Sequence, residues 1–248
     1  MTRSLHERLQ QEVDAARRID IIEQELCPPE PQLLDTCVLQ NLDWVDRRIE
    51  SDGSIIWDDE AVAVLAERYG AELANDLVDL GVLYKEFENR SGYPWLVSQT
   101  AQGEVGHVGG LKGARLESAL SFFRGHQDDW CDGAYPGLAK GLLFHSRRTR
   151  VSPLLLRGLG VTSVDEIYSP IGPPSFLPNG GDRMTAAEAL IANVPVVLTT
   201  DRATFWKFRA KLEAFGLSVV RPTELLKLYE PYWQALDEEF MRRRDAQR

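Results

Sequence analysis

The sequence predicts an α/β fold, a central and mainly parallel sheet with helices on both faces. Two observations carry this. Short apolar runs recur along the chain, at Gln32–Asp35, Tyr93–Ser98, Pro195–Thr199 and Leu217–Arg221. Stretches of helical composition separate them, and strands that alternate with helices build parallel sheets. The first run, Leu33-Leu34-Asp35, ends in an acid and leads directly into a new helix, the pattern of a buried parallel strand.

Residues 5–26 read as an amphipathic helix. Leu5, Leu9, Val13, Ala16, Ile19, Ile22 and Leu26 follow steps of three and four. Pro28, Pro29 and Pro31 stop it. This helix either packs on its own domain or offers a face to a partner. After the first strand, a helix starts at Thr36-Cys37-Val38-Leu39 and runs to about Val45, followed by helical patterns at 60–69 and 71–88. Tyr93–Ser98 is the second strand and Thr100–Val105 turns into a helix. The stretch 106–181 is the least regular. It holds four glycines between Gly106 and Gly113, a helix at about 114–124, a basic cluster at Arg147, Arg148 and Arg150, and a Pro/Gly-rich run from Ser169 to Pro174. A loop that long is functional or mobile. Order returns with a helix at Asp182–Ala192, a strand at Pro195–Thr199, a helix at Ala203–Phe215 and a strand at Leu217–Arg221. A last helix, Thr223–Phe240, is expected to break at Pro231, and the tail Met241–Arg248 to fray. The organisation is a helical arm at 1–30, an α/β domain at 31–226 with an insertion at about 106–181, and a C-terminal helix and basic tail at 227–248.

Composition narrows the function. The 248 residues carry 28 Lys+Arg and 38 Asp+Glu, a net charge of −10, with 44% hydrophobic residues. That excludes general disorder and argues against a protein that coats a polyanion backbone. It leaves open an enzyme whose carboxylates hold metal against nucleic acid. No apolar run is long enough to span a membrane, and the first residues lack a secretory signal. Three scattered cysteines, Cys27, Cys37 and Cys131, exclude a disulfide scaffold and a zinc site built from four thiolates. A cytoplasmic location is expected.

In open α/β sheets, ligands bind beyond the carboxyl ends of the strands. The sequence delivers four acids there. Asp35 ends the first strand, Asp201 lies just past Val196–Thr200, Glu104 lies about one turn into the helix after the second strand, and Asp182 opens a helix after Gly180-Gly181. Singly, each has an ordinary alternative as a helix cap. Crowded carboxylates repel, and a hard divalent cation with oxygen ligands relieves that repulsion.

The four segments, Leu33-Leu34-Asp35-Thr36-Cys37, Val97-Ser98-Gln99-Thr100-Ala101-Gln102-Gly103-Glu104, Asp182-Arg183-Met184-Thr185-Ala186-Ala187 and Thr199-Thr200-Asp201-Arg202-Ala203-Thr204-Phe205, come in an order that resembles the PIN-domain nuclease family, most closely its VapC-like branch. The resemblance covers roughly residues 32–226 and closes on Pro222-Thr223-Glu224-Leu225. It implies a PIN-like three-layer α/β/α fold and an endoribonuclease, a toxin or defence effector, that uses Mg2+ or Mn2+. Asp35 and Asp201 would be the main metal ligands, with Asp182 and Glu104 binding directly or through water. Thr199 or Ser98 would hydrogen-bond a ligating carboxylate or the phosphate. The gaps around Glu104 are longer than in the compact toxins of this branch, and Glu86 and Glu117 compete for its place. The resemblance further implies RNA as substrate, an inhibitory partner protein and self-association.

An acidic chain that admits a polyanion needs local positive charge. Arg183 and Arg202, each beside a key acid, are candidates, with Lys112, Arg115 and the cluster Arg147, Arg148 and Arg150. Trp95, Trp130 and Trp206 either stack bases or pack in the core. Competing constellations are weaker. Glu104-x-x-His107 has di-metal spacing but no second copy. A haloacid-dehalogenase-like phosphatase also starts on a strand ending in Asp, but needs a second Asp where Cys37 stands. A non-catalytic scaffold that keeps the acids and binds another protein is the remaining alternative.

Overall fold

The computed structural model describes residues 5–52, 59–90, 92–133 and 151–247. The chain divides into two compact units, one of Pro29–Thr223 and one that joins the two chain ends, Met1–Pro28 and Glu224–Arg248. Arg147, Arg148 and Arg150 lie outside the described residues.

The larger unit is α/β. Its strands are β1 (Gln32–Leu34), β2 (Trp95–Val97), β3 (Val196–Leu198) and β4 (Ser218–Val220). They form one sheet in the order β2-β1-β3-β4, parallel at every pairing. Leu33 stands opposite both Leu96 and Val197, and Val197 opposite Val219. Side chains alternate across a strand, so this central rung points to one face. There it joins a core made by α9 (Gly180–Ala192), α10 (Phe205–Glu213) and the short helices α7 (Pro153–Gly158) and α8 (Val164–Ile167). Ala186, Ala187 and Ala189 are fully buried in that layer, and small residues let a helix lie close on a sheet.

The neighbouring residues face the other way. Trp95 is fully buried, with its ring edge-on to Phe87 of α4 (Ala71–Asn89) at 5.2 Å and tilted to Phe123 of α6 (Gly110–Gly133) at 5.8 Å. This layer also holds α2 (Thr36–Asp52), α3 (Asp59–Tyr69) and α5 (Gln99–Val105) near it. Both sheet faces are covered, as all-parallel sheets require. The architecture is α/β with helices on both sides of the sheet.

The stretch expected to be irregular is largely helical where described. The helix placed at about 114–124 is α6, running from Gly110 to Gly133. Gly113 allows it, since a Cβ there would overlap the Val108 carbonyl.

The smaller unit comprises α1 (Leu5–Leu26) and α11 (Pro222–Gln247) from Glu224 onward. The Arg18 guanidinium donates to both carboxylate oxygens of Glu239, at 2.8 and 2.9 Å. Arg242 donates to the same carboxylate at 2.6 Å. Two expectations are corrected here. Helix α11 runs through Pro231 without ending. A proline removes one backbone donor, and Tyr229 and Trp233, stacked at 4.9 Å, bracket it on the helix. The basic tail also does not fray at Met241, because the buried Glu239 anchors Arg242 one turn on. In α1 the packed face centres on Ala15, Ile19 and Ile22, while Leu9 and Val13 stand exposed. No helix among the described residues is long and apolar enough to cross a membrane.

Candidate active site

The chain leaves β1 for β2 on one side and leaves β3 for β4 on the other. The crevice between the carboxyl ends of β1 and β3 is therefore the switch point of the sheet. Asp35 is the first residue past β1. Its N–H donates to the Leu198 carbonyl at 3.0 Å, which fixes it against β3. Its Oδ2 accepts the Thr199 hydroxyl at 2.7 Å and the Cys37 thiol at 2.9 Å. The Cys37 sulfur in turn accepts the Thr200 N–H at 3.3 Å and its hydroxyl at 3.1 Å. Asn41 donates to that Thr200 hydroxyl oxygen at 2.8 Å. The loops after β1 and β3 are thus tied together around one carboxylate, whose Oδ1 makes no hydrogen bond among the described residues.

Asp182 comes from the first turn of α9. It is not the cap: Asn179 caps this helix by accepting the Gly181 N–H at 2.9 Å. Asp182 is buried, and its Oδ2 has no hydrogen-bond partner. Asp201 accepts the Ala203 N–H at 2.7 Å and the Thr204 hydroxyl, and its own N–H donates to Thr199 Oγ1 at 2.9 Å. The same Thr204 hydroxyl lies near enough to Asp182 to oppose the rise of its carboxyl pKa. Glu104 reaches the group from α5. A Cβ on Gly181 would overlap its Oε1, so the glycine is what admits this carboxylate beside α9.

The four acids act on one another. Burial pushes the Asp35 carboxyl above the usual range. Its bonds from Cys37 and Thr199 oppose this, and the charges of Asp201 and Glu104 add to it. Asp182 is pushed up to about 6, first by burial, against the nearby Thr204 hydroxyl, and then by the charges of Asp35, Asp201 and Glu104. Burial also raises the Cys37 thiol, which stays protonated and able to donate.

Among the described residues, no lysine or arginine forms an ion pair with any of the four. Arg202 pairs with Glu72 and Arg115 with Asp43. A hard cation would suit such donors, since each is an oxygen and one buried oxygen is unpartnered. As the side chains stand, no three His, Cys, Asp or Glu groups among the described residues form a ready metal cage. Asp35 Oδ1, Asp182 Oδ2 and the Glu104 carboxylate would be the oxygens free to turn toward an ion if one bound.

The structure sorts the other candidates. Thr199 bonds Asp35. Ser98 does not reach an acid: its hydroxyl caps α5 by accepting the Ala101 N–H at 2.9 Å. Glu86 is paired with Arg90 at 3.0 Å and Glu117 is exposed, and neither is among the charges acting on Asp35 or Asp182. His107 bonds the Gly103 carbonyl of its own turn at 2.6 Å. Trp95 is core, and Arg183 is half-buried one residue past Asp182. Sequence reasoning missed Cys37 as a tie and Glu188, a buried acid of α9 that accepts the Thr100 N–H at 3.3 Å. Neither carries a sequence signal, because both depend on contacts between distant segments. Gly180-Gly181 did carry one, a pair of glycines at a helix start where a side chain would be in the way. No family model, curated protein or solved structure matches this chain.

Proposed function

We propose that this protein hydrolyses RNA phosphodiester bonds with a divalent cation, Mg2+ or Mn2+, on a PIN-like version of the α/β fold. The observation that carries the reading is the convergence of Asp35, Glu104, Asp182 and Asp201 at one switch point, within electrostatic reach of one another and unpaired with any cation among the described residues. RNA as the substrate follows from the resemblance of the four segments that supply them.

Asp35, Asp182 and Glu104 would hold the ion, with Asp201 at the rim. The ion, when bound, lowers the pKa of a water and neutralises charge on the phosphate. The chain's own work is orientation. Thr199 and Cys37 fix Asp35 by its Oδ2. Thr204 holds Asp201 by its Oδ2. Asn179 holds the first turn of α9 and so the position of Asp182.

The test is cleavage of labelled single-stranded RNA and DNA with Mn2+, Mg2+ or chelator. RNA cleavage that needs metal and falls to background in Asp35→Asn and Asp182→Asn is the expected result. Thr199→Val, which removes the hydroxyl that supports Asp35 and accepts the Asp201 N–H, is expected to lower the rate about 10–100-fold. A second reading, a protein-binding scaffold, draws on Asp201, whose two oxygens are both engaged within its own loop. Intact RNA under every metal condition, with no thermal shift on Mn2+ addition, would favour that scaffold.

A further inference from the structure

Arg202 and Arg221 leave the carboxyl ends of β3 and β4, on the flank of the acid cluster. They converge on one carboxylate. Glu72, in the first turn of α4, pairs through Oε2 with Arg202 and stands 3.8 Å from Arg221. One oxygen shared by two guanidinium groups is the geometry of an anion seat.

The two arginines are held differently. Arg221 is pinned: it lies 3.7 Å from the buried Asp76, which accepts the Thr223 N–H and hydroxyl, and its guanidinium lies 4.8 Å from the Trp206 ring centroid. Arg209 lies over the same ring at 4.0 Å. Arg202 and Glu72 are about half exposed, at 49% and 55%. An exposed pair of that kind contributes little to stability. A phosphate, with more oxygens for two guanidinium forks, would displace Glu72 at little cost, and the pinned Arg221 would keep the seat in place.

We propose that Arg202 and Arg221 form a seat for a backbone phosphate of single-stranded RNA, and that Glu72 occupies it as an internal competitor when no strand is bound. The inference rests on the RNA reading above and adds the side on which the strand lies, over β3 and β4 next to Asp201. It also explains how a chain of net charge −10 accepts a polyanion: the positive seat is masked by a carboxylate that the substrate replaces.

The experiment measures binding of a fluorescein-labelled, single-stranded oligoribonucleotide by anisotropy, in chelator and across a salt series. Variants are Glu72→Gln, Arg202→Gln and the double variant, each checked by thermal melting. Removing the competitor is expected to tighten binding about fivefold, the equivalent of ~1 kcal/mol. Arg202→Gln is expected to weaken binding and flatten the log Kd against log salt slope by about 0.7. The double variant should behave as Arg202→Gln. If Glu72→Gln leaves Kd unchanged, or tightens it equally with and without Arg202, the seat is wrong and any gain is general charge. RNA binding that persists in that case leaves the nuclease reading standing. A wild-type chain that binds no RNA overturns both.

Discussion

Asp182 holds a buried, unpartnered oxygen inside a ring of three other acids, and this has an energetic consequence. A carboxyl raised from 3.8 to about 6 keeps its proton in the fold over a range where the unfolded chain has lost it. Its contribution to stability therefore falls as pH rises from about 4 to about 6, and above that window the charged form costs the metal-free fold about 1–3 kcal/mol. Asp182→Asn should raise the melting temperature of the metal-free protein at pH 7, with the gain shrinking toward pH 4. The lost attraction between a carboxylate and the α9 N-terminus, about 0.3–1 kcal/mol, trims that gain without reversing it. Saturating Mn2+ should invert the ranking, because the wild type then gains an ion that the variant binds poorly. A variant less stable than wild type in chelator at pH 7 would contradict the strained-carboxylate account. The acids themselves were legible in the sequence, as side chains past short apolar runs. The thiol of Cys37 was not, because its part is set by Thr199 and Thr200, far away along the chain.

At the scale of elements, the start of α9 does two things at once. Asn179 caps it, and Gly181 leaves room for the Glu104 carboxylate from α5. Gly181→Ala separates the two roles. Alanine favours a helix over glycine by about 1 kcal/mol, so the fold should melt no lower, while Glu104 is driven from its place. The expected outcome is an unchanged or raised melting temperature with weakened Mn2+ binding by calorimetry. Unchanged Mn2+ affinity would show that Glu104 has no part in holding the ion. Strands and helices were largely readable from the alternation of apolar runs and helical periodicity, down to the start of α5 within a residue of Thr100. What failed were breaks and helix starts. Pro231 reads as a stop, yet α11 passes through it, because packing outweighs one missing hydrogen bond. The apolar stripe of α1 is packed at Ile19 and Ile22 and stands exposed at Leu9, Val13 and Leu26. Between Gly106 and Gly113 the glycines hid the start of α6, where one of them is required by a close approach to Val108.

For the whole molecule, charge is distributed unevenly. In the unit formed by the chain ends, Glu239 is buried and held below its usual pKa, chiefly by its hydrogen bond from Arg18. A lowered carboxyl contributes stability that is present above its ordinary pKa and lost as pH falls through the folded value. Glu239→Gln should therefore lower the melting temperature at pH 7 and lose that effect in acid, the opposite sign to Asp182→Asn. Circular dichroism melts of both variants from pH 4 to pH 8 separate the two trends; parallel curves would sink the assignment. Fold class was legible at this scale. The joining of Met1–Pro28 with Glu224–Arg248 was not, since nothing local in either segment names the other.

The order of the strands bears on how the molecule is made. β1 sits in the middle of the sheet, while its partner β3 follows it far along the chain, beginning only at Val196. A nascent chain on the ribosome therefore carries β1 with one flank open until β3 has emerged. Such an open flank is a place where neighbouring chains can pair wrongly. The same delay keeps Asp35 apart from Asp182 and Asp201, so a chain cut short by an early stop codon is born without the assembled cluster.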